Sequence, residues 1–357
     1  MTESLIPNAP IIDLSPVELL DNLGRFILLN AYAANSSGLY NGKAGLSLVL
    51  FELSIATDNG TWEDHAFELI RQALITSDRN VSFANGLSGI GYALLYLIDS
   101  NFIDADFDDL FGEKRSQIIK VFKDEIEKGN YRPLASELFY LNALGNRRNR
   151  EEETLLHSLR KKIIERYTER IKNARKRENK IHKLFLTRDI LYLLKQCLNN
   201  EISSDYALYR LCRNYAALYD SGIITSDLMD GLYLEKIAGK FNDEKLKETA
   251  MSNIYKGIEN FHSEVFMFEE KIDLLFLLSL SEGSVENAEN LISELASSII
   301  AAKGKTTEQS IADSLPPSVI RYGLGRGVSR LLVWLIYQIF TSAGEKTVAK
   351  RLWNLLV

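Results

Sequence analysis

Two apolar runs, Ser47–Leu53 and Tyr92–Ile98, each follow a polar turn punctuated by glycine. The first turn reads Tyr40-Asn41-Gly42-Lys43-Ala44-Gly45-Leu46 and the second Asn85-Gly86-Leu87-Ser88-Gly89-Ile90-Gly91. Asn41 aligns with Asn85, Gly42 with Gly86 and Gly45 with Gly89, at a separation of 44 residues that lies within the range of helical repeats. Glycine inside a helix costs about 1 kcal/mol relative to alanine. These glycines therefore belong at helix entrances, where the chain turns tightly or approaches another surface closely. A looser third copy, Tyr322-Gly323-Leu324-Gly325-Arg326-Gly327-Val328-Ser329, opens the apolar run Leu331–Phe340. Superposing Gly327 on Gly89 sets Gly323 opposite Asn85 and Leu324 opposite Gly86.

The remaining pattern is helical throughout. Ser15-Pro16-Val17-Glu18 is a capping box with proline at the first helical position, opening a helix to about Ala34. Asp58-Asn59-Gly60 closes the first glycine-opened helix, and Thr61 starts another that runs to about Thr76. Further helices are expected over Asp104–Lys128, Pro133–Leu144, Phe185–Leu198, Asp205–Tyr219, Asp227–Lys240, Glu244–Asn260, Phe266–Leu280 and Val285–Lys303. Ser342, with Glu345 three residues on, caps a final one. No proline falls between Pro133 and Pro316, and alternating strand-like runs are absent, so the chain reads as all-α. The glycine-opened helices are more evenly apolar than those between them, which predicts an inner layer of buried helices and an outer amphipathic one.

Composition narrows the setting. A hydrophobic fraction of 46% and a charged fraction of 25% are those of a globular chain, and no apolar run approaches the ~18 residues of a membrane span. Two cysteines, Cys197 and Cys212, exclude a disulfide framework and fit a cytoplasmic location. The net charge of −6 conceals a basic segment: residues 146–183 hold 14 lysines and arginines against six glutamates. Leu156, Leu159, Ile163, Tyr167 and Ile171 form an apolar stripe there. The interleaved Glu151, Glu152, Glu153, Glu165 and Glu169 would repel phosphate, so this is a solvated outer helix rather than a nucleic-acid surface.

The segments Tyr40–Ser54 and Ser82–Ile98 resemble the repeat signature of the lanthionine synthetase C-like (LanC-like) family, and Arg321–Ile336 does so less closely. The resemblance covers residues 36–100 and, more loosely, 315–357, and is faint between them. It implies one α/α toroid over residues 1–357, with about seven inner and seven outer helices and glycine-rich loops at one end of a central cavity. Cyclases of that family bind zinc there, through a cysteine in one loop and a Cys-His pair in another, and add cysteine thiols to dehydrated serine or threonine in a precursor peptide. This sequence departs from that pattern. It has no Cys-His dipeptide, both cysteines fall inside expected helices, and His65, His157, His182 and His262 are scattered. A zinc site needs three or four converging ligands, so no metal and no cofactor is expected.

P-loop, dinucleotide and nucleophile-elbow motifs are also missing, and no spacing singles out a pair among carboxylates such as Asp99, Asp230 and Glu270. What the pattern does suggest is a cavity mouth. Helix amino-terminal ends carry unpaired amides and a positive dipole end, which suit a polar or anionic peptide segment. Asn41, Lys43, Asn85, Ser88 and Arg326 are the side chains expected to reach it, with Gly42, Gly45, Gly86, Gly89, Gly91, Gly323, Gly325 and Gly327 as structural glycines. The competing reading is that the glycines serve packing and the two asparagines only cap. The expected partner is a precursor peptide or a peptide maturase. Alternatives are a peptide-modifying cyclase with an unconventional site and a carbohydrate-active α/α toroid enzyme.

Overall fold

The computed structural model describes residues 16–75, 79–129, 137–175, 206–224, 227–262, 268–279, 288–300, 323–325, 327–345, 347–348, 351–352 and 355. Among these there is no β-strand, and the all-α reading holds. The helix expected at Phe185–Leu198, the cap at Ser15, Cys197 and Arg326 lie outside the described residues. The chain divides into two compact units, residues 1–121 with 263–357 and residues 122–262.

The first unit contains α1 (Pro16–Ala31), α2 (Lys43–Thr57), α3 (Gly60–Leu74), α4 (Leu87–Asp99), most of α5 (Phe107–Glu127), and three late helices. With α6 to α10 in the other unit, these are α11 (Phe268–Ser279), α12 (Ala288–Ile300) and α13 (Val328–Ser342). α2 is its centre, touched by α1, α3, α4 and α13. The sequence explains that position. Every residue of α2 from Ala44 to Ser54 is buried, and so is every residue of α4 from Leu87 to Leu97. A helix apolar all round has no face to give to solvent. α3, by contrast, buries only Trp62, Ala66, Leu69, Ile70 and Ala73, one stripe at helical spacing. The expected alternation of wholly buried and amphipathic helices is present here.

The ends of the helices correct several details. α3 begins at Gly60, not Thr61, because Asn59 is the cap: its side-chain oxygen accepts from Thr61 N–H at 3.1 Å. Asp58 takes the left-handed conformation (φ 50°) and stops α2. Ser342 is not a cap for a following helix. It is the last residue of α13, and its hydroxyl donates to the Gln338 carbonyl at 2.7 Å. A serine inside a helix can bond back to the carbonyl four residues earlier, which occupies the hydroxyl that a cap would need.

The second unit contains α6 (Glu137–Ala143), a 3₁₀ turn at Gly145–Arg147, α7 (Arg150–Arg175), α8 (Tyr206–Asp220), α9 (Leu228–Phe241) and α10 (Glu244–Glu259). α7 is the expected basic helix, with Leu156, Leu159, Ile163, Tyr167 and Ile171 buried. Asn149 and Glu152 form a reciprocal capping box at its start: Asn149 Oδ1 accepts from Glu152 N–H, and a Glu152 oxygen from Asn149 N–H. Lys161 in this helix pairs with Glu165 at 3.9 Å, and Arg148 just before it with Glu153 at 2.6 Å.

Candidate functional site: a cluster of glycine turns

Gly42, Gly86 and Gly327 are the cap residues of α2, α4 and α13, with φ of −134°, −132° and −128° and no side chain capping any of them. The shared geometry resets the register of the third copy. Gly327 corresponds to Gly86 and Gly42, three residues from the expected superposition on Gly89. In this register Leu39, Phe83 and Leu324 are equivalent, each three residues before its cap and each buried. The second and third turns close alike, since Gly86 N–H donates to Ser82 O at 2.9 Å and Gly327 N–H to Gly323 O at 2.8 Å.

The expected supply of unpaired helix amides is changed at α2. Lys43, Ala44 and Gly45 N–H donate to the carbonyls of Ser36, Ser37 and Gly38 at 3.0, 3.2 and 3.4 Å. At α4, Leu87 N–H donates to Asn80 O at 2.8 Å. The preceding loop thus wraps the helix end and satisfies it in place of a side-chain cap. What the α2 entrance can offer a ligand is side chains and turn edges, not its first-turn amides.

The three turns are joined through Tyr40. Its N–H donates to Ala84 O at 2.8 Å, and its carbonyl accepts from Gly325 N–H at 2.9 Å, so one peptide segment bridges the second turn and the third. The glycines make that approach possible. A Cβ at Gly325 would lie 2.7 Å from the Cβ of Tyr40, and one at Gly38 would run into the backbone of Asn85. The Tyr40 ring meets Phe83 edge-on at 6.0 Å, and Phe83 meets Tyr92 at 5.2 Å. Residues far apart in sequence therefore form one cluster.

Within it, Asn41 is half-buried, with its side-chain oxygen against Gly323, and Asn85 is exposed beside Gly38. Neither asparagine caps a helix. Lys43 is turned toward α3, where Nζ donates to Gln72 Oε1 at 2.8 Å and Gln72 in turn donates to Glu68 at 2.5 Å. The Gln72 and Arg71 hydrogen bonds hold the Glu68 carboxyl below its ordinary range. Ser88 is buried, its hydroxyl donating to Val81 O at 2.5 Å. The turns carrying Asn41 and Asn85 are thus brought together, whereas Lys43 and Ser88 are engaged by local partners.

The described donor set does not fit a zinc ion. Among the described residues no three His, Cys, Asp or Glu side chains converge. Cys212 is buried on α8 in the second unit, and Cys197 and His182 lie outside the described residues. His65 Nδ1 is 2.9 Å from the Tyr32 hydroxyl, and His157 lies 3.5 Å from Glu153. Of the carboxylates weighed for glycosidase chemistry, Asp99 is exposed, Glu270 is half-buried and Asp230 is bonded by the Tyr215 hydroxyl. No described helix is long and apolar enough to cross a membrane.

One polar group escaped the sequence reading. Glu52 is fully buried in the middle of α2, and its oxygens accept from the Tyr96 hydroxyl of α4 and from Arg351 Nη2, the latter at 2.7 Å. Burial pushes the Glu52 carboxyl above its ordinary range, against the opposing pull of Arg351 and Tyr96. Burial and the Glu52 charge hold the Tyr96 hydroxyl well above its own. Glu52 and Tyr96 are 44 residues apart, so they occupy equivalent positions in the two repeats. A carboxylate inside an otherwise apolar helix was the available signal.

The family model for lanthionine synthetase C-like proteins matches residues 33–188, a stretch that encloses both well-formed glycine turns and the helices they open. No curated protein matches the chain. The match begins just before the loop that wraps the α2 entrance. Over residues 33–188 the chain is thus similar to lanthionine synthetase C-like proteins.

Proposed function

We propose that this chain is a LanC-like accessory protein that binds a precursor peptide, or the maturase acting on it, at the glycine-turn cluster, without zinc-dependent cyclase chemistry. The similarity of residues 33–188 to lanthionine synthetase C-like proteins supports a link to lanthipeptide-type peptide modification. The proposal takes residues 1–357 as one α/α toroid, the architecture of that family. The observation that carries it is the joining of the three turns through Tyr40. It leaves Asn41 and Asn85, the residues before two cap glycines, without a capping role. An asparagine amide both donates and accepts, which matches the alternating groups of an extended peptide backbone. The scattered arrangement of the described histidines and Cys212 supports binding rather than metal-activated thiol addition.

The test is calorimetric titration with a synthetic precursor peptide, a leader followed by a core containing serine, threonine and cysteine. Asn41→Ala combined with Asn85→Ala is expected to weaken binding about tenfold, the equivalent of about 1.4 kcal/mol of lost hydrogen bonding. The melting temperature should stay within about 2 °C, since neither side chain caps a helix. Unchanged affinity would oppose the proposal. So would a loss of stability equal to the loss of binding.

A further inference from the structure

Glu52 carries a requirement that the turn cluster does not explain. An ionised carboxylate with no solvent exposure is strongly unfavourable unless its oxygens are taken by donors, at least one of them charged. Here one oxygen is bonded by Tyr96 and the other by Arg351, which stands 299 residues later in the chain. The Arg351 guanidinium also lies 5.3 Å from the Phe102 ring centroid, in cation–π range. Leu352 and Leu355 are buried beside it, and Leu355 N–H donates to Leu352 O at 3.0 Å.

The two partners are not equivalent. The Arg351 side chain is 22% exposed, while that of Glu52 is 0% exposed. Released from the pair, arginine can be hydrated, whereas the carboxylate stays among apolar side chains. Loss of the cation therefore costs more than loss of the anion.

We propose that Arg351 is a latch: Arg351, Leu352 and Leu355 form a strap held on α2 because Arg351 carries the cation that buried Glu52 requires. Docking of the strap and tolerance of a charge inside α2 are then one event. A purely packed strap would depend on Leu352 and Leu355 and be indifferent to the charge at position 52.

The test compares the full-length protein with Arg351→Ala, Glu52→Gln and the double variant, by thermal melting and by hydrogen exchange at the Leu355 amide. Arg351→Ala is expected to lower the melting temperature by about 10 °C, and Glu52→Gln by no more than about 3 °C. The double variant should recover more than half of the Arg351→Ala loss, because no buried charge is left unpaired. Exchange at Leu355 should quicken at least about tenfold in all three, while the amides of Leu48 to Leu50 stay protected in Glu52→Gln and the double variant. If Arg351→Ala fails to fold, recovery of a folded protein in the double variant supports the latch, and its failure overturns it. A double variant as unstable as Arg351→Ala, or an Arg351→Ala protein within about 2 °C of the parent, also overturns it.

Discussion

Replacing Gly45 with alanine is expected to destabilise the protein by about 3 kcal/mol or more in denaturant unfolding, near the upper end of what overpacking costs. The added methyl would overlap the carbonyl group of Leu39, and the next residue it would meet is Leu324, whose Cβ is 3.4 Å away. A side chain could swing aside, but a carbonyl in a loop whose neighbours bond the first turn of α2 has nowhere to go. Relief would require lifting residues 36–40 from the helix, with loss of the hydrogen bonds from Lys43, Ala44 and Gly45. Gly60→Ala is the matched control. It opens α3 with nothing within 4 Å of the added atom, so up to about 1 kcal/mol of gained helix propensity should appear instead. Equal responses at the two positions would mean that the loop and helix are not locked together.

Leu324→Ala is the second large effect, expected to cost about 2–5 kcal/mol. Leu324 is 1% exposed and stands in the third turn where Leu39 stands in the first and Phe83 in the second. Each fills the space beneath its turn, and Leu324 does so against α2 rather than only its own helix. Its removal therefore opens a cavity between the late part of the chain and the early part. Phe83→Ala should be at least as damaging, at about 3–5 kcal/mol. A mild Leu324→Ala, below about 1 kcal/mol, would contradict the equivalence of the three positions, since an exposed turn residue rarely matters more.

The repeat was legible because glycine is costly inside a helix, so Gly42, Gly45, Gly86 and Gly89 could be placed at entrances from spacing alone. The layer assignment followed from the same segments, whose apolar residues leave no polar face. The third register was not legible. In Gly323-Leu324-Gly325-Arg326-Gly327 several glycines compete to be the cap, and backbone geometry, not composition, selects Gly327. The fate of the α2 amides was hidden for a similar reason. Carbonyls of Ser36, Ser37 and Gly38 perform the capping, and a carbonyl is present at every residue. Arg351 could not be matched to Glu52 because nothing local relates residues so far apart. Lys43 sits inside the motif, and its length lets it reach Gln72 on the neighbouring helix, a contact that spacing does not encode.

Recognition of a peptide without zinc-activated thiol chemistry is tested most directly by one titration. A dehydrated precursor peptide containing cysteine is titrated into dialysed protein, with and without about one equivalent of zinc, and recovered for mass analysis and thiol counting. The same affinity in both conditions, and a peptide recovered with its thiols intact, is the predicted result. Binding that requires zinc, or a peptide recovered with thioether rings, would contradict it.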